Sequence, residues 1–187
     1  MTINELAEFI YGGNGMLGDT QEIGLLLFQI ARGMNGHFGG INALEIGVRY
    51  GGTTVPLLCG LYSVEPPGKL VSIDNDGDIA EAHKVALMRV RALELPWEFY
   101  LADSRTWESP YPSYHLIYID ADHSYNGVKG DFEKYSQLLA PGGIMLFHDA
   151  ESYQGVSKAL EEKRGDWDIT TLPFSHGLAI ARRKGEA

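Results

Sequence analysis

An apolar segment runs directly into a glycine-rich turn in the sequence LEIGVRYGGT, residues 44–53. The first part has the character of a buried strand, and Gly47 and Gly51 allow the backbone to turn sharply and approach a ligand closely. Thr53 then opens a helix whose free amide groups favour negative charge. This order of strand, turn and helix is typical of nucleotide-binding α/β domains. Glycine turns also occur where no ligand binds, so residues further along the chain are needed to distinguish a nucleotide-binding site from an ordinary turn.

Downstream of this stretch, short apolar segments alternate with longer segments of helical spacing. Strands are predicted at residues 42–47, 70–74, 97–102, 115–120, 144–148, 168–172 and 178–181. Helices are predicted between them at residues 53–62, 79–93, 126–139 and 153–164. The alternation predicts a Rossmann-like three-layer α/β/α sandwich with a seven-stranded, mostly parallel sheet. Only a turn separates the last two strands, so we expect them to form a C-terminal antiparallel hairpin.

Two helical patterns precede the first strand, at residues 3–10 and 20–32. The glycine-rich residues 33–40 are expected to end the second of these helices. The chain shows no internal repeat or linker. We therefore expect one domain, with residues 1–40 as a helical addition packed on a core formed by residues 41–187.

Composition excludes several classes of partner. Of the 187 residues, 44% are hydrophobic, which allows a sizeable core, and the formal net charge of −10 opposes binding to nucleic acid or an anionic membrane. Cys59 is the single cysteine and lies in an apolar run, so it is interpreted as a core residue in a reducing compartment. No segment has the pattern of a leader peptide or a membrane span, and a cytoplasmic protein is expected.

Acidic residues close the second and third predicted strands, at the edge where α/β sheets bind ligands. Asp74 follows Gly51 by 23 residues and is suited to accept hydrogen bonds from ribose hydroxyls, although it could instead cap the next turn. Asp103, followed by Ser104, either meets an adenine edge or forms an Asx-turn. Arg49 occupies the second glycine position of the dinucleotide-binding fingerprint, which disfavours NAD.

The fourth and fifth predicted strands end in acids and histidines. Asp120, Asp122 and His123 follow the fourth strand, and His148 with Asp149 follows the fifth. Carboxylates that converge repel one another unless a cation, a proton or hydrogen bonds neutralise them, so a metal site is predicted. Carboxylates alone favour magnesium or calcium, whereas an added imidazole favours manganese, iron or zinc. Alternatively, Asp122 caps the following helix and His123 is a surface residue.

These segments together resemble class I S-adenosylmethionine-dependent methyltransferases. The resemblance is closest to a small bacterial group, methyltransferase family 24, which is related to the metal-dependent catechol and caffeoyl-CoA O-methyltransferases. It covers roughly residues 20–183. The motifs that carry it are residues 45–53, Asp74, Asp103-Ser104, the Asp-His-Ser-Tyr motif within residues 120–125, Pro141-Gly142-Gly143 and His148-Asp149.

The resemblance implies a role for each matching residue. The cofactor-binding residues would be Glu45, Gly47, Gly51 and Thr53 for the methionine part, Asp74 for the ribose, Asp103 and Ser104 for the adenine, and Asp120 beside the sulfonium. A divalent cation, Mg²⁺ or another, would be held by Asp120, His148 and Asp149. A histidine at position 148, where the family has an acid, leaves fewer anionic ligands for that cation. Asp120 would also take part in catalysis, with either His123 or His148 as the base.

The resemblance therefore implies methyl transfer from S-adenosylmethionine to an oxygen of a small hydroxylated molecule, such as a catechol-like phenol or a sugar. A small open site often uses a wall from a second copy, so a homodimer is expected. Two alternatives remain open at this stage. One is an NAD(P)-dependent oxidoreductase, and the other is a module that binds S-adenosylmethionine without catalysis.

Overall fold

The fold was obtained as a computed structural model, which describes residues 20–75, 88, 91 and 94–186. The helix predicted at residues 3–10 lies outside the described residues. So does most of the helix predicted at residues 79–93, of which Met88 and Arg91 are described and are helical.

Four helices and seven strands have bounds close to the predicted ones. The helices are α1 (Thr20–Phe38), α2 (Thr54–Leu61), α3 (Tyr125–Ser136) and α4 (Gln154–Glu161). The strands are β1 (Asn42–Ile46), β2 (Lys69–Asp74), β3 (Glu98–Leu101), β4 (Tyr114–Ile119), β5 (Leu139–Phe147), β6 (Trp167–Leu172) and β7 (Leu178–Arg183).

The seven strands form one sheet in the order β3-β2-β1-β4-β5-β7-β6. Strands β1 to β5 pair in parallel, whereas β7 runs antiparallel to both β5 and β6. This confirms the predicted sandwich with its C-terminal hairpin. The chain moves outward from β1 to β3 and then returns to place β4 beside β1. The sheet order therefore reverses between β1 and β4, and ligands bind at the carboxyl ends of strands that flank such a point.

Two apolar layers cover the two faces of the sheet. On one face, α1 and α2 bury side chains such as Leu27, Phe28 and Leu58 against the sheet. On the other face, α3 and α4 bury side chains such as Phe132 and Leu160. Burying each large apolar side chain contributes on the order of 2 kcal/mol relative to exposure, so both helical layers are firmly attached.

The prediction that the glycine-rich residues 33–40 end helix α1 is wrong, because the helix continues through Gly33 and Gly36 to Phe38. The buried side chain of Asn35 explains the difference. Its Nδ2 donates to the carbonyls of Leu61 (2.9 Å) and Pro66 (3.0 Å). Its Oδ1 accepts from the backbone amides of residues 40 and 41, which follow the helix. These tertiary hydrogen bonds outweigh the low helix propensity of two glycines, which costs about 1 kcal/mol each.

Strand β5 begins at Leu139, five residues before the predicted start. Pro141 and Gly142 are turn residues by sequence, which is why the prediction began the strand after them. In the structure they are accommodated by a register shift of the β4–β5 pairing between Tyr114 and Leu116. Helix α3 correspondingly ends at Ser136, before the predicted residue 139.

No helix within residues 20–75 and 94–186 is both long and apolar enough to cross a membrane.

Candidate active site

An open cleft of ≈ 1360 Å³ lies along the carboxyl edge of the sheet, at the switch point between β1 and β4. Three of the four acids predicted to share one hollow line it, namely Asp74, Asp103 and Asp120. The other predicted site residues that line the cleft are Gly47, Thr53, Ser104, His123, His148 and Asp149. Glu45 and Gly51 are not among the lining residues.

Gly47 joins the ends of β1 and β4. Its φ is +95°, and a Cβ at this position would lie 2.0 Å from the backbone oxygen of Asp120. The amide of Asp120 donates to the carbonyl of Ile46 (2.8 Å), so the two strand ends are tightly apposed. Only glycine fits here, and its absent side chain brings the glycine-rich loop beside the Asp120 segment. Gly51 has φ +73° and is buried, and it is not among the residues that line the cleft.

Glu45 lies behind the cleft rather than in it, which corrects the prediction that it lines the ligand site. Its side chain points to the sheet face covered by α2 and is fully buried. The carboxyl accepts hydrogen bonds from the hydroxyls of Thr53 (2.7 Å), Thr54 (2.8 Å) and Ser72 (2.6 Å). Burial raises the pKa of Glu45 to about 7, although the three hydroxyls lower it in part. Glu45 therefore fastens the start of α2 to β1 and β2.

Asp74 shapes the glycine-rich loop from the adjacent strand. Its Oδ2 accepts hydrogen bonds from the backbone amides of Val48 (2.8 Å) and Arg49 (2.9 Å). Arg49 has a φ of +45°, in the left-handed region that is strained for residues other than glycine. The hydrogen bonds to Asp74 hold the loop in this conformation. Asp74 also lines the cleft, as predicted for a ribose-binding acid.

Asp103 forms the predicted Asx-turn and also lines the cleft. Its Oδ1 accepts from the backbone amide of Arg105 (2.9 Å), and the Arg105 guanidinium binds both carboxylate oxygens. The hydrogen bonds from the Arg105 side chain lower the pKa of Asp103 to about 2. The neighbouring Ser104 is fixed through its carbonyl, which accepts from Lys134 (2.8 Å) and Tyr135 (2.7 Å) of α3.

Two carboxylates and two imidazoles meet where β4 and β5 end. Nε2 of His123 lies 3.3 Å from Oδ1 of Asp120 and 3.0 Å from Oδ2 of Asp149. Nδ1 of His148 lies 3.4 Å from Oδ2 of Asp120 and 3.6 Å from Oδ1 of Asp149. Asp149, a member of this cluster, has a φ of +60°, in the left-handed region that is strained for residues other than glycine. His123 is thus a half-buried member of the site rather than a surface residue.

Hydrogen bonds and charge attraction within the cluster shift the pKa values of its members. Burial raises the pKa of Asp120, but hydrogen bonds with His123 and His148 outweigh burial and lower it overall. The hydrogen bond to Asp120 raises the pKa of His123. Burial lowers the pKa of His148, but its hydrogen bond and attraction to Asp120 and attraction to Asp149 raise it overall. A cation bound among these groups would offset the charge of the two carboxylates.

The structure changes one residue of the predicted metal set. Asp120, His123 and Asp149 each offer one ligand atom, and these atoms lie within 4.8 Å of one another. His148, the predicted third ligand, is not part of this set. Its Nε2 lies 2.9 Å from the carbonyl oxygen of Ser175, which turns the ring partly away. Two carboxylates with one imidazole suit manganese, iron or zinc better than magnesium.

Tyr153 and Asp131 are two of the cleft-lining residues that sequence reasoning did not identify. The ring of Tyr153 stacks on His123 with centroids 4.3 Å apart, and it follows β5 in a loop where no motif indicates an aromatic residue. Asp131 lies on α3 and lines the cleft although the residue is only 3% exposed. Helical spacing could have indicated it, because Asp131 is four residues before the buried Tyr135 and shares its helix face.

The chain shares its fold with solved methyltransferases. A Bacillus cereus O-methyltransferase in complex with S-adenosylhomocysteine has a TM-score of 0.69 and 20% identity, with 97% of this chain and 90% of that chain covered. The Podospora anserina methyltransferase PaMTH1 bound to S-adenosylhomocysteine has a TM-score of 0.70 and 15% identity, with 97% and 87% covered. At these identities, the likeness is one of fold.

Sequence comparison identifies the family. The chain is 34% identical over 68 residues to the uncharacterized protein y4gI of Sinorhizobium fredii, a match that covers 35% of this chain and 8% of that much longer protein. A family profile described as a methyltransferase domain matches residues 44–150, which include β1, the glycine-rich loop and the whole acidic and histidine cluster. Because this match covers more than half of the chain, the protein belongs to this methyltransferase domain family.

Proposed function

We propose that the protein transfers the methyl group of S-adenosylmethionine to a hydroxyl oxygen of a small molecule, with help from a divalent cation. The observation that carries the proposal is the cluster of Asp120, His123, His148 and Asp149 beside the glycine-rich loop. A methyltransferase that acts on oxygen must remove a proton from its acceptor. This cluster offers both basic groups and a set of cation ligands at the cleft.

The methyl donor would lie along the cleft from β3 to β4. Asp103 and Ser104 line the end suited to the adenine, and Asp74 lines the position next to it, where it can meet the ribose. Gly47 and Thr53 line the wall suited to the methionine part. The sulfonium would then reach Asp120, whose lowered pKa keeps it negatively charged beside the positive sulfur.

The acceptor would bind at the opposite end, beside His123 and Tyr153. The Tyr153 side chain is 47% exposed and offers a flat apolar surface for a catechol-like phenol or a sugar ring. A divalent cation would be held by Asp120, His123 and Asp149, and its positive charge would lower the pKa of an acceptor hydroxyl. The cleft would hold the acceptor oxygen in line with the sulfur–methyl bond.

His148 would accept the proton. The Ser175 carbonyl can only accept a hydrogen bond, so Nε2 of His148 carries its hydrogen there and the neutral ring keeps a lone pair on Nδ1. The acceptor proton passes to Nδ1, where Asp120 and Asp149 stabilise the imidazolium. The acceptor oxygen bonds to the methyl carbon as the carbon–sulfur bond breaks, and the sulfonium becomes a neutral thioether.

Binding and turnover of the purified full chain test the proposal. Calorimetry should show binding of S-adenosylhomocysteine but not of NAD(P), and mass spectrometry of the purified protein should detect any retained donor or product. Methyl transfer should appear with a panel of catechols and sugars after Mn²⁺ is restored to chelator-treated protein. Binding of NAD(P) alone would point to an oxidoreductase. Binding of S-adenosylhomocysteine without methylation of any acceptor, with or without cations, would point to a binding module.

A further inference from the structure

Helix α3 presents a buried carboxyl group to the cleft at Asp131, and no step of the proposed reaction uses it. The residue is only 3% exposed and yet lines the cleft near the end of β3. Burying a carboxylate is costly unless a partner compensates for the lost water. The burial of the Asp131 carboxyl in the wall of the cleft therefore requires an explanation.

The position of Asp131 is fixed by the next turn of its helix. The hydroxyl of Tyr135 donates to the carbonyl of Ser104 (2.7 Å), and Nζ of Lys134 donates to the carbonyls of Ser104 (2.8 Å) and Trp107 (2.5 Å). Asp131 precedes Tyr135 by four residues, so it faces the same loop at the height of the cleft. These three hydrogen bonds fasten the turn of α3 that follows Asp131 to the loop after β3.

The immediate surroundings of Asp131 suit a ligand that donates hydrogen bonds. Burial raises the pKa of Asp131 to about 6, and the hydrogen bond with Ser104 and the charge of Lys134 lower it in part. The group is therefore mostly an anionic acceptor at pH 7.5. Beside it, Gly130 also lines the cleft, and among the described residues no atom lies within 4 Å of where a Cβ at position 130 would be. This open space leaves room for a flat ring next to the carboxylate.

The other carboxylate at this end, that of Asp103, is already paired. Its two oxygens share the Nε hydrogen of Arg105 and also accept from Nη2 and from the Arg105 backbone amide, at distances between 2.5 and 3.1 Å. Three of the roughly four acceptor positions of a carboxylate are thus occupied at Asp103. Asp131, by contrast, is hydrogen-bonded to a neutral hydroxyl, that of Ser104.

We propose that Asp131 accepts a hydrogen bond from the exocyclic amino group of the donor's adenine and so determines the base that the cleft selects. This inference rests on the proposed function, since it assumes that S-adenosylmethionine occupies the cleft. It assigns the recognition of the amino group to α3 rather than to the Asp103 loop.

The test compares two ligands that differ at this one group. S-adenosylhomocysteine carries the amino group, whereas S-inosylhomocysteine carries an oxygen that can only accept. Calorimetry at pH 7.5 should show that the wild-type protein binds S-adenosylhomocysteine about 10- to 100-fold more tightly, as expected for one hydrogen bond to a charged acceptor. In Asp131→Asn, the side-chain amide can donate to the inosine oxygen. The variant should therefore bind the two ligands about equally tightly, or bind S-inosylhomocysteine more tightly.

Glu133→Gln is the matched control, because it removes one negative charge from an exposed position of the same helix, where Glu133 pairs with Lys163. Its preference should equal that of the wild type. If Asp131→Asn fails to fold by circular dichroism, Asp131→Ser takes its place with the same expected loss of preference. The proposal is overturned if the wild type binds both ligands equally, or if the variant weakens both by the same factor, as a purely structural role requires. Wild-type protein that binds neither ligand would instead refute the proposed function.

Discussion

Replacing Glu45 with glutamine tests whether a buried, partly protonated carboxyl underlies the glycine-rich loop. Burial raises the pKa of Glu45 from 4.5 to about 7. Between these two pH values, the folded protein holds a proton on Glu45 that the unfolded chain has released. Stability therefore falls as the pH rises through this window, because the unfolded state binds fewer protons than the native state.

The size of the effect follows from the width of the window. Each pH unit corresponds to 1.36 kcal/mol, so Glu45 alone lowers the free energy of unfolding by about 3 kcal/mol between pH 4.5 and pH 7. Glutamine is neutral at every pH and keeps one oxygen to accept from the Thr53, Thr54 or Ser72 hydroxyls. The stability of Glu45→Gln relative to wild type should therefore increase by about 3 kcal/mol across the window and then level off.

Urea unfolding of both proteins at half-unit pH intervals measures this difference directly. Subtraction of the two curves removes the titration of all groups that the proteins share, including Asp131, His123 and His148. Asp168→Asn, at an exposed position of β6, is the control for loss of one carboxylate. A constant difference between wild type and Glu45→Gln at all pH values would refute a raised pKa. If the variant does not fold, the carbonyl stretch of the protonated carboxyl in wild-type infrared spectra decides the question.

Three further predictions concern the cleft. Gly47→Ala should destabilise the protein by about 2 kcal/mol or more in thermal unfolding, because the added Cβ would meet the Asp120 carbonyl at a positive φ. The control Gly33→Ala, in α1, should stabilise the protein by about 0.5–1 kcal/mol. Equal effects of the two substitutions would contradict the steric argument. Asp74→Ala should weaken S-adenosylhomocysteine binding by about 1–3 kcal/mol in calorimetry, and unchanged affinity would reject the ribose assignment. His123→Ala should abolish calorimetric Mn²⁺ binding while His148→Ala retains it and loses turnover; the opposite result would restore the originally predicted metal set.

The order of strands and most of the cleft could be predicted because they follow from local patterns. Strands buried on both faces are nearly continuous apolar runs, such as residues 70–73 and 116–119, and their ends mark the edge where ligands bind. The predicted bounds of the elements were wrong where contacts between residues far apart in the sequence determine the structure. Asn35 extends α1 through two glycines by binding carbonyls from the loop after α2, and no pattern within α1 indicates those partners.

The differences in the site have a related cause, which is side-chain direction. Residue 45 belongs to the same sheet face as Ala43, which packs under α1 and α2, so alternation along β1 turns the Glu45 carboxyl away from the cleft. The motif alone predicts that Glu45 contacts the ligand. In the structure, the alternation of side chains along β1 directs Glu45 behind the loop instead. The exchange of His148 for His123 in the cation set also depends on direction, since the Ser175 carbonyl on the β6–β7 turn orients the His148 ring.

The structure thereby separates two roles that one acidic edge could have combined. Glu45 and Asp74 both bind the glycine-rich loop or its flanks within the protein, so they stabilise the loop before any ligand arrives. Asp120 and Asp149 lie 3.0–3.6 Å from the ring nitrogens of His123 and His148, and Asp120 also accepts from the Tyr118 hydroxyl (3.3 Å). Under the proposed function, the fixed acids would position the donor, while an imidazole beside Asp120 and Asp149 would take the proton that the acceptor loses.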